Sequence, residues 1–197
     1  MRNKKYSVRR LTTVAILSAL ATVLMVLEFS IPIVPSFLKV DFSDLPALLA
    51  AFSMGPLAGA LVELIKNLLH LPFTQSTGVG ELANFLLGSA FVIPAGIVYQ
   101  RIKSRKGALI GALTGMALAG AVSFPVNLWI TYPFYTVFIP MESIIEAYHV
   151  LFPPIDTLPK ALLFVNVPFT VLKEAVNVVI TFLIYKKISP LLKGKTK

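Results

Sequence analysis

From Gly107 to Met141 the chain carries no charged residue, and a second uncharged run lies between Arg10 and Glu28. Runs of this length meet the need of a membrane-spanning helix, about 20 predominantly apolar residues. The bulk figures agree. Of 197 residues only 14% are charged and 56% are hydrophobic, with a mean hydropathy of +0.81. A soluble domain usually carries about 25% charged residues. Lipid is the expected solvent, and an all-α integral membrane protein is the expected fold class.

Breakers between the apolar runs set the organisation. Ile31-Pro-Ile-Val-Pro35 ends the first run, because proline lacks an amide hydrogen and constrains its predecessor. Gly55-Pro56 splits the second, and Leu71–Gly80 is a loop of turn formers. Arg101–Lys106 is a basic connector, and Met141–Lys160, with Phe152-Pro-Pro154, reads as a large loop. Six transmembrane helices follow, at about 8–28, 45–54, 57–71, 81–100, 107–132 and 162–186, in a single transmembrane domain over 1–197. The basic start and Ala19-Leu-Ala21 imitate a secretory leader, but the apolar run continues to Leu27, so an uncleaved first helix is expected.

A net charge of +9 and a pI near 9.9 would suit a nucleic-acid binder, but the charges are placed otherwise. The N-terminus (Arg2, Lys4, Lys5, Arg9, Arg10), the connector and the tail from Lys186 hold 14 of the 18 basic residues. Six helices put all three clusters on one side, which the positive-inside rule makes cytoplasmic, together with both termini. Basic edges there sit against anionic lipid, and no nucleic acid is needed to explain them. The loops at 36–44, 71–80 and 141–160 then share the outer face, where a ligand site is expected.

Charges inside a bilayer are costly and call for partners or a function. Glu63 and Lys66, three apart, are expected to neutralise one another. Lys173 interrupts the last helix with Glu174 beside it and Asn177 four residues on; with Thr170 they form either a cavity-lining patch or a structural ion pair to another helix. Asn84, Asn127 and Asn166 lie at a common depth. Each could glue helices together or read a heterocycle edge. Phe124, Trp129, Tyr132, Phe134 and Tyr135 could stack on a flat ring or form an interfacial aromatic belt. Gly107, Gly111 and Gly115 repeat at close-packing spacing, as do Ala15 and Ala19, whose stripe could also serve a partner. In the first loop Ser43 or Asp44 is expected to cap the next helix, and Lys39 and Asp41 to sit in water. The chain has no cysteine, and His70 and His149 are far apart, so no metal site is expected. No nucleophile elbow or His-Glu-x-x-His motif marks an enzyme.

Lys39-Val-Asp-Phe-Ser-Asp-Leu-Pro46, Gly55-Pro56 and Glu63-Leu-Ile-Lys-Asn67 together resemble the riboflavin-specific S component of energy-coupling factor (ECF) transporters. Gly80–Phe85, Asn127 with Tyr132-Pro-Phe-Tyr135, and Pro168–Lys173 extend the likeness over essentially the whole chain. The resemblance implies a multi-pass plasma-membrane subunit without catalytic activity or cofactor. It would capture riboflavin, with its phosphate FMN as a second ligand, at the outer face. A transmembrane coupling protein and two ATPase subunits would supply the energy. By position, Lys173 would hydrogen-bond the isoalloxazine ring, Asn127 would line the pocket with Asn84 and Asn177 near it, and Val40, Asp41 and Phe42 would close over the ligand. Ala15 and Ala19 would dock on the coupling protein. Thr170 stands where the family often has asparagine. The competing expectations are an S component for another vitamin and, from a different class, a small membrane-embedded enzyme using Glu63, Lys66, Lys173 and Glu174.

Overall fold

The computed structural model describes residues 8–193, with side chains to Ile184. Arg2, Lys4, Lys5 and the side chains of the basic tail lie outside the described residues. Helix α1 (Val8–Val26) leads into a two-residue antiparallel ladder, β1 (Phe29–Ser30) with β2 (Lys39–Val40), in the register Phe29–Val40 and Ser30–Lys39. The prolines between the two strands leave this ladder short. Then follow α2 (Asp44–Met54), α3 (Pro56–His70), α4 (Val79–Arg101) and α5 (Arg105–Val126). A π-helical turn, Asn127–Thr131, carries α5 directly into α6 (Tyr132–Tyr135). Beyond α7 (Met141–His149), α8 (Leu158–Ala161) passes through a second π-helical turn, Leu162–Asn166, into α9 (Val167–Lys193).

Among the described residues four helices are long and apolar enough to cross a membrane: Val8–Val26, Val79–Arg101, Arg105–Tyr135 and Leu158–Ile184. α2 and α3 differ in kind. α2 has 11 residues, a length of about 16 Å, and its residues from Asp44 to Phe52 are all buried. It is a central post, in contact with α1, α3, α4 and α9, while α1, α3, α4, α5 and α9 adjoin one another in that order around it. Gly55 makes the turn from α2 to α3 possible. Its φ of 105° is a conformation that L-residues with a side chain rarely adopt, and Pro56 then opens α3 where no amide hydrogen is required. At the same end Arg10 Nη2 donates to the carbonyl of Met54, 2.5 Å away, at the negative end of α2.

The seam between α4 and α5 explains the glycine repeat. A Cβ on Gly111 would stand 2.6 Å from the carbonyl oxygen of Ala95, and one on Gly115 would collide with that of Phe91. Bare backbone is therefore what lets the two helices touch. Trp129 and Phe134 face outward, Trp129 with 74% of its surface exposed, as an interfacial belt requires.

The segment 141–160, expected as a loop, contains α7 and the start of α8. Ile144 and Tyr148, four apart, bury one face of α7 against Tyr132, Ile155 and Leu162, and Pro140 precedes its first turn. The fifth apolar run also continues past Tyr132-Pro133 rather than stopping there, because the π-helical turn absorbs the break and places Pro133 in the first turn of α6.

Substituting Gly111 by leucine is expected to force α4 and α5 apart and lower the thermal midpoint of the detergent-solubilised protein. Leu113→Ala, on the exposed face of the same helix, serves as the control and should leave the midpoint nearly unchanged.

Candidate ligand-binding site

The short α2 brings its N-terminal acid into the middle of the bundle, where two lysines meet it. Lys66 of α3 donates to Asp44 Oδ1 and, at 2.8 Å, to Ser43 Oγ. Lys173 of α9 lies 3.1 Å from Asp44 Oδ2 and 2.9 Å from Asp41 Oδ2. Glu63 approaches Lys66 from the same helix at 2.8 Å, as the spacing predicts. Lys66 is fully buried, and Asp44 and Asp41 are only 1% and 3% exposed. A single carboxylate thus ties α2 to both α3 and α9, with the first loop tied in through Asp41.

This arrangement corrects three expectations for the first loop. Asp44 does not cap α2, and Ser43, at the cap position, makes no side-chain capping bond. Both side chains are turned inward to Lys66. Asp41 is not in water; it accepts from the Ser43 amide at 2.8 Å and pairs with Lys173. Lys39 is not merely solvated, since its ammonium donates to Glu28 Oε1 at 2.5 Å and Gln75 Oε1 at 2.7 Å. That triad joins the end of α1, the ladder and the 71–79 segment.

Next to this network lies a cavity of about 700 Å³, within the range of small-molecule sites. Ala83, Asn84, Leu87 and Gly88 supply the α4 wall. Asn127, Thr131, Tyr132 and Tyr135 supply the α5–α6 wall, and Asn166, Phe169, Thr170, Lys173 and Glu174 the α9 wall. Phe37, Leu38, Lys39 and Asp41 come from the first loop, Gln75–Thr77 from the second, and Ile144 from α7. Lys173, Thr170, Asn127, Asn84 and Asp41 are therefore brought together.

Asn177, Val40 and Phe42 are not on the walls. Asn177 is fully buried and its amide donates at 3.4 Å to Glu174 rather than facing Lys173. Val40 is held in the ladder opposite Phe29, and the Phe42 ring also packs on Phe29, 6.3 Å between centroids.

The polar groups on the walls differ in how far they are already engaged. Asn84 Oδ1 is buried without a hydrogen-bond partner. Thr170 Oγ1 donates to the Asn166 carbonyl at 2.9 Å, and Asn127 donates to that of Ser123 at 2.8 Å. Asn166 closes a ring of three. Its amide donates to Tyr132 Oη at 2.9 Å, Tyr148 donates to its Oδ1 at 2.6 Å, and the two phenols bond to each other. Burial pushes the Tyr148 phenol well above its ordinary range, so it is a neutral donor. The ring pins α7 over the π-helical turns of α5 and α9.

Sequence reasoning missed several members of the site. His70, weighed only as a metal ligand, pairs with Glu81 at 2.9 Å, and Glu81 also accepts from Thr74 and Ser76 at 2.8 and 3.2 Å, ordering the second loop. Phe169, directly after Pro168, lines the cavity. Tyr148 went unnoticed because α7 did, although Ile144 and Tyr148 at i, i+4 were its signal. Ala15 and Ala19, by contrast, are exposed on the outward face of α1, between buried Val14, Leu17, Ser18 and Ala21. Their stripe does not serve packing within the bundle.

Asp44→Asn is expected to destabilise the detergent-solubilised protein by about 3–5 kcal/mol, since both lysines lose their shared anion in a buried site. Glu63→Gln, which leaves Asp44 in place between both lysines, should lower the thermal midpoint by less.

Residues 9–185 match the model of a family described as the substrate-specific component of ECF transporters. The chain is 33% identical over 185 residues to the riboflavin transporter RibU of Staphylococcus aureus, covering 94% of this chain and 93% of that protein. It is 34% identical over 186 residues to the riboflavin transporter FmnP of Bacillus subtilis, covering 93% of each. A solved structure, described as the S component of a bacterial ECF transporter, superposes with a TM-score of 0.73 at 33% identity, covering 93% of this chain and 97% of that one. The likeness extends through every element that builds the cavity, and the chain belongs to the substrate-specific components of ECF transporters.

Proposed function

We propose that the chain is the riboflavin-binding subunit of an ECF importer. The observation that carries this reading is the cavity itself, which sets Lys173 and the unpartnered Asn84 carbonyl among the aromatic rings of Tyr132, Tyr135 and Phe169. A flat, polar-edged ring suits such walls. Asparagine offers donor and acceptor, and a lysine ammonium has three donors. Two of those on Lys173 are directed at Asp41 and Asp44, which leaves the third for a ring carbonyl. The names of the relatives in S. aureus and B. subtilis point to the same vitamin.

The remaining parts of the reading follow from charge and hydropathy. Six helices make up one transmembrane substrate-binding domain over 1–197 in the plasma membrane, with the short α2 inside a ring of the other five and both termini in the cytoplasm. Arg9, Arg10 and the 101–106 connector lie at the end of the bundle away from the cavity, as the positive-inside rule asks. The cavity then opens outward and the first loop closes over the vitamin. Membership of the family implies that a transmembrane coupling protein and two ATPase subunits supply the energy. The exposed Ala15 and Ala19 form the docking stripe, small enough for a partner helix to come close.

Protein purified from flavin-replete cells is expected to be yellow and to quench added riboflavin with nanomolar affinity, about 12 kcal/mol of binding free energy. A colourless preparation that does not quench sinks the reading. Asn84→Ala should weaken binding by about tenfold with little change in melting, since no internal partner is lost. Lys173→Ala should lower both affinity and melting temperature, because it also uncovers two buried carboxylates. Ala15→Leu is expected to retain riboflavin binding while abolishing co-purification with the coupling protein. A stable complex would return the stripe to lipid.

A further inference from the structure

We propose that Tyr148 is a positioning residue for the flavin, acting from behind the cavity wall. It sets which hydrogen-bonding groups Asn166 and Tyr132 turn to the ligand. The inference rests on the flavin reading above and concerns a part of the site outside the Lys173 network.

Tyr148 is fully buried on α7 and touches residues from three other parts of the chain. Asn166, the last residue of the π-helical turn before α9, accepts from its hydroxyl at 2.6 Å. Tyr132, the first residue of α6, bonds to the same hydroxyl. Phe37 of the first loop packs edge-on against its ring, 5.6 Å between centroids, and against that of Tyr132 at 6.2 Å. Asn166, Tyr132 and Phe37 all line the cavity, whereas Tyr148 does not. One phenol behind the wall therefore holds wall residues from three elements.

The protons in this ring decide what the wall offers. A phenol has one proton to donate, and an amide has two N–H donors and an oxygen with two lone pairs. Tyr148 gives its proton to Asn166 Oδ1, so Tyr132 is the donor in the bond between the phenols. Asn166 Nδ2 in turn donates to Tyr132 Oη at 2.9 Å. The closed ring leaves Asn166 one N–H and one lone pair for a ligand, and leaves Tyr132 no proton. The remainder is the same if the ring runs the other way. Without the Tyr148 hydroxyl the ring opens. Asn166 and Tyr132 then satisfy each other only once, and a further acceptor or proton is turned towards the cavity.

The same amide is the outer end of a polar stripe on the last helix. Asn166, Thr170 and Lys173 follow at spacings of four and three, so they share a face, and all three line the cavity. Thr170 Oγ1 donates to the Asn166 carbonyl at 2.9 Å, which fixes the backbone end of that residue. The ring fixes its side-chain end. Through Phe37, the first loop is seated on the phenol that orders the stripe.

The test is titration of the purified protein with riboflavin, read by fluorescence quenching and by the visible absorption bands of the bound flavin. Those bands shift with hydrogen bonding to the ring. Tyr148→Phe, which removes one oxygen, should weaken binding by about tenfold and shift the bands. Ile155→Val thins the packing around α7 and leaves the hydrogen-bonded ring intact. It should lower the melting temperature without moving the bands. In an Asn166→Ala background Tyr148→Phe should weaken binding far less, because its route to the ligand is gone. Tyr148→fluorotyrosine keeps the hydroxyl and strengthens it as a donor. It should shift the bands in the opposite sense, and it serves where the phenylalanine variant does not fold. Bands that stay fixed in the Tyr148 variants overturn the positioning role. Losses that simply add in the Asn166→Ala background reduce Tyr148 to a packing residue. A native chain that binds no riboflavin overturns the vitamin reading, and the positioning role with it.

Discussion

Asp44 holds this bundle together from inside. Its two oxygens face two lysines on different helices, so α2, α3 and α9 share one buried ionic centre. Removing ions from water costs several kcal/mol each even after relaxation, and only close, well-compensated geometry offsets that. Here compensation comes from Asp41 and Glu63 on either side and from the Ser43 hydroxyl. The space for Glu63 is provided by α4, where a Cβ on Gly88 would collide with its carboxylate. The same centre forms part of the cavity wall, because Asp41, Asp44 and Lys173 reach both. Stability and ligand contact therefore draw on the same few side chains. For that reason Asn84, which has no internal partner, reports on binding more cleanly than Lys173.

The membrane class, the long helices and the Gly55-Pro56 turn were legible because each follows from a local rule: charge-free length, helix periodicity or proline chemistry. Glu63 with Lys66 was legible for the same reason, being a spacing on one helix. The partners of Asp44 were not. Lys66 and Lys173 lie 22 and 129 positions away in the chain, and no local pattern says that a residue at a helix start points inward rather than capping its own amides. The loop position of Asp41 and Lys39 suggested water, but the packed first loop gave both a partner. α7 was hidden by the prolines around it and by its length of nine residues, too short to produce a strong periodic signal. Its burial depends on Tyr132 and Asn166, which are distant in sequence.

Exposure must also be read against the solvent. Ala15, Ala19 and Trp129 are all outward-facing, yet they suit different neighbours. Trp129 has an amphipathic ring for an interface, whereas a pair of alanines one turn apart presents a shallow groove. Both are compatible with lipid, but only the groove lets another backbone come near. Spacing raised that possibility, and the outward direction of the stripe removes packing within the bundle as its explanation.

The two π-helical turns at 127–131 and 162–166 have a consequence for how this architecture can vary. An extra residue in a turn advances the following side chains by about 100° around the axis. In α5 the segment that meets α4 through Gly111 and Gly115 is thereby out of phase with the segment bearing Tyr132 and Tyr135. In α9 the second turn separates α8 from the segment carrying Thr170 and Lys173 in the same way. The bundle is thus built as two rotational registers joined by π-helical turns. Residues in one register can be exchanged to reshape the cavity while the close-packed glycine seam keeps its alignment, so a single scaffold can be refitted to a new guest without being rebuilt.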